Sequence, residues 1–261
     1  MTFDVITIFP DFFHGILEHG LLKRAMGSGH VSIRLRDLRD YAVDRHRTVD
    51  DRPFGGGPGM VFKPEPIFRA VEALKSEEAG TALPVILLSP QGRLLTQSVV
   101  EELAGATRLV LICGRYEGVD ERVAENLATQ KISLGDFVLS GGELAAAVVM
   151  EAVTRLIPGV LGNAESCRQD SFAVPAGSPS VVRHGLLDCP HYTRPADFRG
   201  WKVPEVLLSG NHEQIREWRW RRVLETTWRR RPDLLAAFPL AEEDRRWLES
   251  VEAEKHEPAN P

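Results

Sequence analysis

The sequence predicts an α/β fold, in which a mostly parallel sheet is followed by a separate helical region. Strand-like and helix-like segments alternate through the first two thirds of the chain, a pattern typical of βαβ units. Residues 85–88 and 109–113 are continuous apolar runs, as expected of parallel strands covered on both faces. The composition then shifts, and residues 205–256 are helical in character and hold four of the five tryptophans.

The remaining strands are predicted from alternation. Residues 3–9 alternate and are rich in β-branched side chains, so they form the first predicted strand. Residues 31–35 alternate apolar with polar side chains and predict a half-exposed strand, and residues 132–134 predict a short one.

The helices are predicted from periodicity and from the residues at their ends. A helical pattern follows Pro10 to about Ala25 and is closed by Gly27. Pro64 suits the first turn of a second helix, and Thr96 suits the N-cap of a third. The predicted helices after the first cover residues 64–74, 96–104, 119–127 and 143–156.

Two domains joined by a linker are expected. Residues 161–185 show little periodicity and contain prolines, glycines and serines typical of a loop. The linker therefore separates an α/β domain, residues 1–160, from a helical domain, residues 186–261.

Composition excludes several classes of protein. The 261 residues are 43% hydrophobic and 26% charged, values close to globular averages. The net charge of −5 means that any surface for nucleic acid must be local. The longest apolar stretch, residues 144–150, is too short to span a membrane. Three widely spaced cysteines and the absence of a signal sequence predict a reduced, cytoplasmic protein with no membrane partner.

Two glycine-rich features suggest ligand binding. Residues 44–60 form a long charged loop with four glycines in five residues, and long loops inside compact domains are usually functional. Residues 89–92, 114–118 and 135–143 each follow a predicted strand, at the sheet edge where α/β proteins bind ligands. Each of these segments, considered alone, is also explained as an exposed turn without a ligand. No Walker or Rossmann motif is present.

A basic stretch lies in the helical domain. Residues 211–231 hold seven arginines against three glutamates, with tryptophans between them. Arginines of this kind contact phosphates, or they form a solvated helix face with the tryptophans packed inside. The histidines do not cluster, so a zinc enzyme is not expected. A nucleotide hydrolase that uses the glycine-rich loop and a non-catalytic RNA-binding protein remain alternatives.

The ordered motifs of the chain together resemble the bacterial tRNA (guanine-N1)-methyltransferases of the SPOUT superfamily. The resemblance runs over nearly the whole chain and rests on residues 44–60, 88–92, 113–118, 135–143, 157–162, 186–195 and 207–212. It implies a SPOUT-type, mostly parallel sheet with a C-terminal trefoil knot, plus a small all-helical C-terminal domain. It also implies methyl transfer from S-adenosylmethionine to N1 of guanine 37, next to the anticodon, in a subset of tRNAs.

The resemblance further implies a homodimer with active sites at the interface, and the use of Mg²⁺, whose ligands stay unassigned. It makes Asp170 and Arg155 candidate catalytic residues and places Glu117 in the active site. The residue pattern alone suggests only that Asp170 is a turn residue and that Arg155 interacts favourably with a helix end. The implied cofactor-binding residues are Leu88, Ser89, Pro90, Gly114, Tyr116, Glu117, Ser133, Leu134, Gly135, Asp136, Phe137, Val138, Leu139, Gly141 and Gly142. The candidate tRNA-binding residues are Asp50, Arg216, Arg219 and Arg222.

Two departures from the family pattern stand out. Residues 173–185 form a longer linker than usual, and Ala145 stands where the family often has proline. The alternative within the resemblance is a SPOUT methyltransferase that acts on another RNA position.

Overall fold

The computed structural model describes residues 1–77, 83–162, 170–173 and 185–256. The chain divides into two compact units, Met1–Gly162 and Asn163–Pro261. Most of the predicted linker, including its long segment at 174–184, lies outside the described residues. None of the described helices combines the length and the apolar run needed to cross a bilayer.

The N-terminal unit is built on a parallel five-stranded sheet, as the sequence predicts. The unit as a whole contains seven strands among the described residues: β1 (Thr2–Thr7), β2 (Ser32–Asp37), β3 (Asp50–Asp51), β4 (Val61–Phe62), β5 (Val85–Leu94), β6 (Arg108–Cys113) and β7 (Gln130–Ser133). The order across the sheet is β2-β1-β6-β5-β7, with every pairing parallel. The short strands β3 and β4 pair with each other as an antiparallel hairpin.

Helices cover both faces of this sheet, which explains the continuous apolar runs of its central strands. They are α1 (His14–Leu17), α2 (Gly20–Gly27), α3 (Pro64–Glu77), α4 (Gln97–Ala104), α5 (Glu121–Asn126) and α6 (Glu143–Leu156), with 3-10 turns at Pro10–Phe13 and Leu38–Tyr41. One apolar cluster packs α2, α4 and α6 against the sheet. A second cluster packs α3 and α5 against the other face.

Three sequence predictions need correction. The single helix expected from Pro10 is a 3-10 turn and two short helices, and the two helices are separated where His19 is extended and Gly20 adopts a left-handed φ of 67°. Residues 89–92, expected as a loop, lie inside β5. Thr96 is at the N-cap of α4 without capping it, since its hydroxyl bonds the Ser98 hydroxyl at 2.9 Å.

The C-terminal unit packs its helices around a small core. They are α7 (His212–Arg230), α8 (Pro232–Ala236) and α9 (Glu242–His256), preceded by a 3-10 turn at Glu205–Leu208. Asn211 caps α7 by accepting from the backbone N–H groups of Glu213 and Gln214. Half-buried tryptophans on α7 and α9 pack against Leu186, Val223 and Leu224, as expected for tryptophans beside a basic helix face.

The prediction of an all-helical C-terminal domain is wrong in one respect. Strands β8 (Asp197–Phe198) and β9 (Trp201–Lys202) form a small antiparallel hairpin. Its turn residues Arg199 and Gly200 have φ values of 59° and 85°, and two successive positive φ values are what a tight hairpin turn requires.

Candidate cofactor-binding site

A cavity of about 460 Å³ lies at the carboxyl ends of β5, β6 and β7 in the N-terminal unit. Its volume falls in the range of small-molecule sites. Three segments form its walls: the outward part of β5, the loop after β6 and the loop after β7.

The first wall is an excursion of β5 held at both ends by β7. Ile132 lies opposite both Leu88 and Arg93, so residues 89–92 bulge out of the strand pairing. Gly92 returns so close to β7 that a Cβ there would collide with the backbone of Ile132. A glycine is therefore required where the excursion rejoins the strand.

The second wall, residues 114–118, is a strained loop. Tyr116 has a φ of 61°, uncommon for a residue with a side chain. Its ring packs edge-on against Phe62 with 5.6 Å between centroids. The Glu117 N–H donates to the Met60 carbonyl at 3.0 Å. These contacts join the loop after β6 to the glycine-rich segment at residues 44–60.

The third wall, residues 133–142, is locked onto the second. The Gly142 N–H donates to the Gly114 carbonyl at 2.9 Å. A Cβ on Gly142 would lie 2.7 Å from Cys113 Cα. The two loops approach so closely because glycine stands at the crossing point.

The structure brings the predicted cofactor-binding residues together around this cavity. Of that set, Asp136 alone does not line it and is exposed beside Gly135. The residues that do line it are Leu88, Ser89, Pro90, Gly114, Tyr116, Glu117, Ser133, Leu134, Gly135, Phe137, Val138, Leu139, Gly141 and Gly142.

Sequence reasoning missed a polar network in the cavity wall. The Lys131 ammonium lies 2.9 Å from Glu121 Oε1 and 3.4 Å from Gln91 Oε1. All three residues line the cavity. Lys131 directly precedes the predicted strand at residues 132–134, and no sequence pattern links it to Glu121 or Gln91.

A buried carboxylate supports the same loops. Glu143 is buried and accepts from the Thr7 hydroxyl at 2.8 Å. The Arg115 Nε lies 3.2 and 3.1 Å from its two carboxylate oxygens. The Arg115 guanidinium also stacks over the Phe9 ring, 4.4 Å from its centroid. Burial, and then the negative charge of Glu143, raise the pKa of the neighbouring Cys113 thiol, so this cysteine is an inert core residue.

The three candidate catalytic residues occupy different places. Glu117 is exposed on the cavity wall. Arg155 is exposed in the last turn of α6, in the N-terminal unit. Asp170 is half-buried in the C-terminal unit, where its backbone carbonyl accepts from the Ala173 N–H at 3.3 Å.

The candidate tRNA-binding residues lie in both units. Asp50 is half-buried in β3 of the N-terminal unit. Arg216, Arg219 and Arg222 are exposed on α7 at intervals of three residues. The Arg222 guanidinium pairs with the Glu225 carboxylate and lies 5.6 Å from the centroid of the Trp218 ring.

Comparison with known proteins gives a consistent result. The family profile described as tRNA (Guanine-1)-methyltransferase TrmD matches residues 1–237. A tRNA (guanine-N(1)-)-methyltransferase of Koribacter versatilis is 56% identical over 263 residues, covering 98% of this chain and 100% of the relative. A protein of the same name from Moorella thermoacetica is 56% identical over 251 residues, covering 96% of each chain. One from Geobacillus kaustophilus is 52% identical over 255 residues, covering 98% and 100%.

Proposed function

The chain belongs to the tRNA (guanine-1)-methyltransferase family, and on that premise we propose that it transfers the methyl group of S-adenosylmethionine to N1 of guanine 37 in tRNA. The observation that carries this proposal is the convergence of three segments on one cavity: the excursion of β5 and the glycine-bearing loops after β6 and β7. Each segment comes from a different strand, as expected of a built binding site in an α/β fold.

The cavity fits a nucleoside cofactor with a charged tail. Leu88, Ile132, Leu134 and Leu139 offer apolar contacts, while glycines 114, 118, 135, 141 and 142 bring no side chain into the cavity. Gly118 has a φ of 130° and open space around the position of a Cβ, so the wall stays clear there. When bound, S-adenosylmethionine supplies an electrophilic methyl carbon.

The chain itself must manage a proton and a charge. Guanine N1 carries a proton at neutral pH, so its lone pair becomes available only when a base removes that proton. We assign this role to the carboxylate of Asp170. Loss of the proton shifts negative charge to guanine O6, where the Arg155 guanidinium would stabilise it. Glu117, exposed on the cavity wall, would help to orient the base.

The proposal includes Mg²⁺ without routing a step through it. Magnesium is usually held by one or two carboxylates together with substrate and water oxygens, and Glu117 offers one carboxylate. Among the described residues, the one group of three potential ligands is Asp188, Cys189 and His191. Sulfur and imidazole ligands suit zinc better than magnesium, so this group does not supply the magnesium site.

A homodimer is supported by exposed apolar side chains on two neighbouring elements. Leu144 and Val148 lie one turn apart on the outer side of α6, and both are exposed. Phe12 is exposed on the 3-10 turn that contacts α6. Contiguous exposed apolar surface marks an interaction site, and we propose that a second copy covers it, with active sites at the interface.

The finer features follow from the same premise. The exposed arginines of α7 would contact tRNA phosphates and give salt-dependent affinity. The trefoil knot is part of the same proposal, and its loops would leave the adjacent strands β6, β5 and β7. We place the reaction in the cytoplasm, in keeping with the free thiols of Cys113 and Cys189.

The experiment uses methyl-labelled S-adenosylmethionine, Mg²⁺ and two tRNA transcripts that differ only in G or A at position 37. Label in 1-methylguanine in the G37 transcript alone supports the proposal. Label at another base supports the alternative, a SPOUT methyltransferase for another RNA position. Asp170→Asn should keep cofactor binding and lose methyl transfer, and turnover retained in that variant would remove Asp170 as the base.

A further inference from the structure

The glycine-rich segment forms a hairpin that is fixed to the cofactor cavity at its base. Strands β3 and β4 pair through Asp50 with Phe62 and Asp51 with Val61. The Phe62 N–H donates to the Gly118 carbonyl, and the Asp120 N–H donates to the Phe62 carbonyl, each at 3.0 Å. The backbone N–H and carbonyl of Phe62 thus both join the base of the hairpin, along the edge of β4, to the loop that lines the cavity.

The tip of this hairpin is a preformed turn that presents one aromatic ring. The Gly56 N–H donates to the Pro53 carbonyl at 3.3 Å, and Gly55 has a φ of 84°. These values describe a type II β-turn with Phe54 at its first corner. A Cβ added to Gly55, Gly56 or Gly57 would meet nothing within 4 Å, so backbone conformation rather than packing requires these glycines.

Phe54 is fully exposed, and it is the most exposed of the large apolar side chains among the described residues. A phenylalanine in this position gains nothing from the apolar core, so its ring is available to a partner. Arg45 and Arg52 are exposed on the same segment. An aromatic ring beside arginines is the combination that binds single-stranded nucleic acid, because bases stack on the ring while arginines contact phosphates.

We propose that Phe54 is a stacking platform for an unpaired base of the RNA substrate, next to the guanine that is modified. The inference rests on the proposed function, because an RNA loop must reach the cofactor cavity for its base to be methylated. A base removed from its stack for chemistry leaves neighbouring bases without a partner. A ring on a hairpin that is joined to the cavity wall could take the place of the lost neighbour.

The test compares Phe54→Ala and Phe54→Trp with the matched control Val43→Ala, which shortens another exposed apolar side chain. Each variant is assayed for KM and kcat with the G37 transcript and for S-adenosylmethionine affinity by calorimetry. The alanine variant should weaken tRNA binding by roughly 5- to 150-fold, the range of one base–aromatic stack. Cofactor affinity should be unchanged, and the tryptophan variant should restore tRNA binding.

A direct readout uses 2-aminopurine at each nucleotide that flanks the target, one transcript at a time. The wild-type protein should quench one of these positions, and Phe54→Ala should not. Unchanged tRNA affinity and quenching in the alanine variant would overturn the inference, while methylation by the wild-type protein would still support the proposed function. If Phe54→Ala instead lowers the molar mass in light scattering, the ring contacts a second copy and the inference is wrong. A wild-type protein that neither methylates nor binds tRNA would refute the proposed function itself.

Discussion

An ion pair between a buried carboxylate and an arginine lies at each end of the strands β1 and β6, and the two pairs have different surroundings. At the amino-terminal end, Asp4 is buried and lies 2.7 Å from the Arg108 Nε and 3.2 Å from the Arg36 Nε. At the carboxyl end, Glu143 is buried and holds Arg115. Both ends thus place a buried carboxylate against arginine.

The difference lies in what the arginine does next. Arg108 is buried and donates to the Leu74 carbonyl and the Glu77 carboxylate at the end of α3, which closes the network. Arg115 is only half-buried and lines the cavity at the carboxyl ends of the strands. An ion pair inside the core fixes the fold, whereas one that opens onto a cavity fixes a binding wall.

The largest effect is expected at the closed network. Arg108→Met leaves Asp4 buried without its closest cation, and breaking a buried pair in this way costs about 3–5 kcal/mol of unfolding free energy. Urea unfolding measures this loss. The control Arg93→Met, which breaks the exposed pair with Glu102, should cost at most about 1 kcal/mol. Equal losses of unfolding free energy in Arg108→Met and Arg93→Met would show that the buried pair stabilises the fold no more than the exposed pair does.

A side chain added where the two cavity loops cross should have the next largest effect on stability and binding. Gly142→Ala puts a Cβ against Cys113 Cα, so overpacking should cost about 1–3 kcal/mol and separate the two cavity loops. Calorimetry should then detect cofactor affinity lowered by more than roughly tenfold. Gly27→Ala is the control, because a Cβ there meets nothing within 4 Å. Normal affinity in Gly142→Ala would show that the loop crossing does not shape the site.

Neutralising the open network should affect binding more than folding. Glu143→Gln keeps the shape of the side chain but removes the charge that holds Arg115. The interaction free energy lost when such a contact is weakened is typically about 1–3 kcal/mol. Cofactor affinity should fall by about tenfold, a change that Arg108→Met should not produce in its folded fraction. Glu151→Gln, on the exposed side of α6, serves as the control.

A helix cap beside the cavity gives a pH-dependent test. The Asp120 carboxylate accepts from the backbone N–H and the side chain of Arg122, and the Arg122 side chain lowers the pKa of this carboxyl. Asp120→Ala should cost about 1 kcal/mol at pH 7. Because folding lowers the pKa of Asp120, the part of the stabilisation that depends on its charge is present above about pH 4 and is lost as the pH falls below it. Asp120→Asn should keep most of the cap without this pH dependence, as thermal unfolding at several pH values can check.

The smallest effect is expected for the exposed pair in the cavity wall. Lys131→Met removes the contacts with Glu121 and Gln91, and exposed pairs contribute about 0.2–1 kcal/mol. The dissociation constant of the cofactor should rise by no more than about fivefold, with kcat unchanged. Lys23→Met, at an exposed position of α2, is the control. A loss of kcat would instead place Lys131 in the reaction.

The sequence pattern predicted the correct element where the residues within that element determine its structure. The sequence predicts a helix at residues 143–156, and α6 has these bounds. The central strand was predicted within one residue, because its apolar run reports burial on both faces. The loop at residues 114–118 could be placed for the same reason, since it follows this strand.

Features set by a distant partner could not be read locally. Strand β5 continues past Pro90 because β7 pairs with it again after the excursion. The contact between Arg115 and Glu143 joins the loop after β6 to the first residue of α6, and no spacing rule connects them. The turn between β8 and β9 needed positive φ at Arg199, a residue type that does not signal it.

The double attachment of residues 89–92 to β7 has a thermodynamic consequence. Both ends of this wall are fixed opposite Ile132, and Gly92 rests against its backbone. Its conformational entropy is therefore lost when the protein folds, and not when a ligand enters the cavity. Binding of a ligand therefore carries no ordering cost for this wall of the cavity.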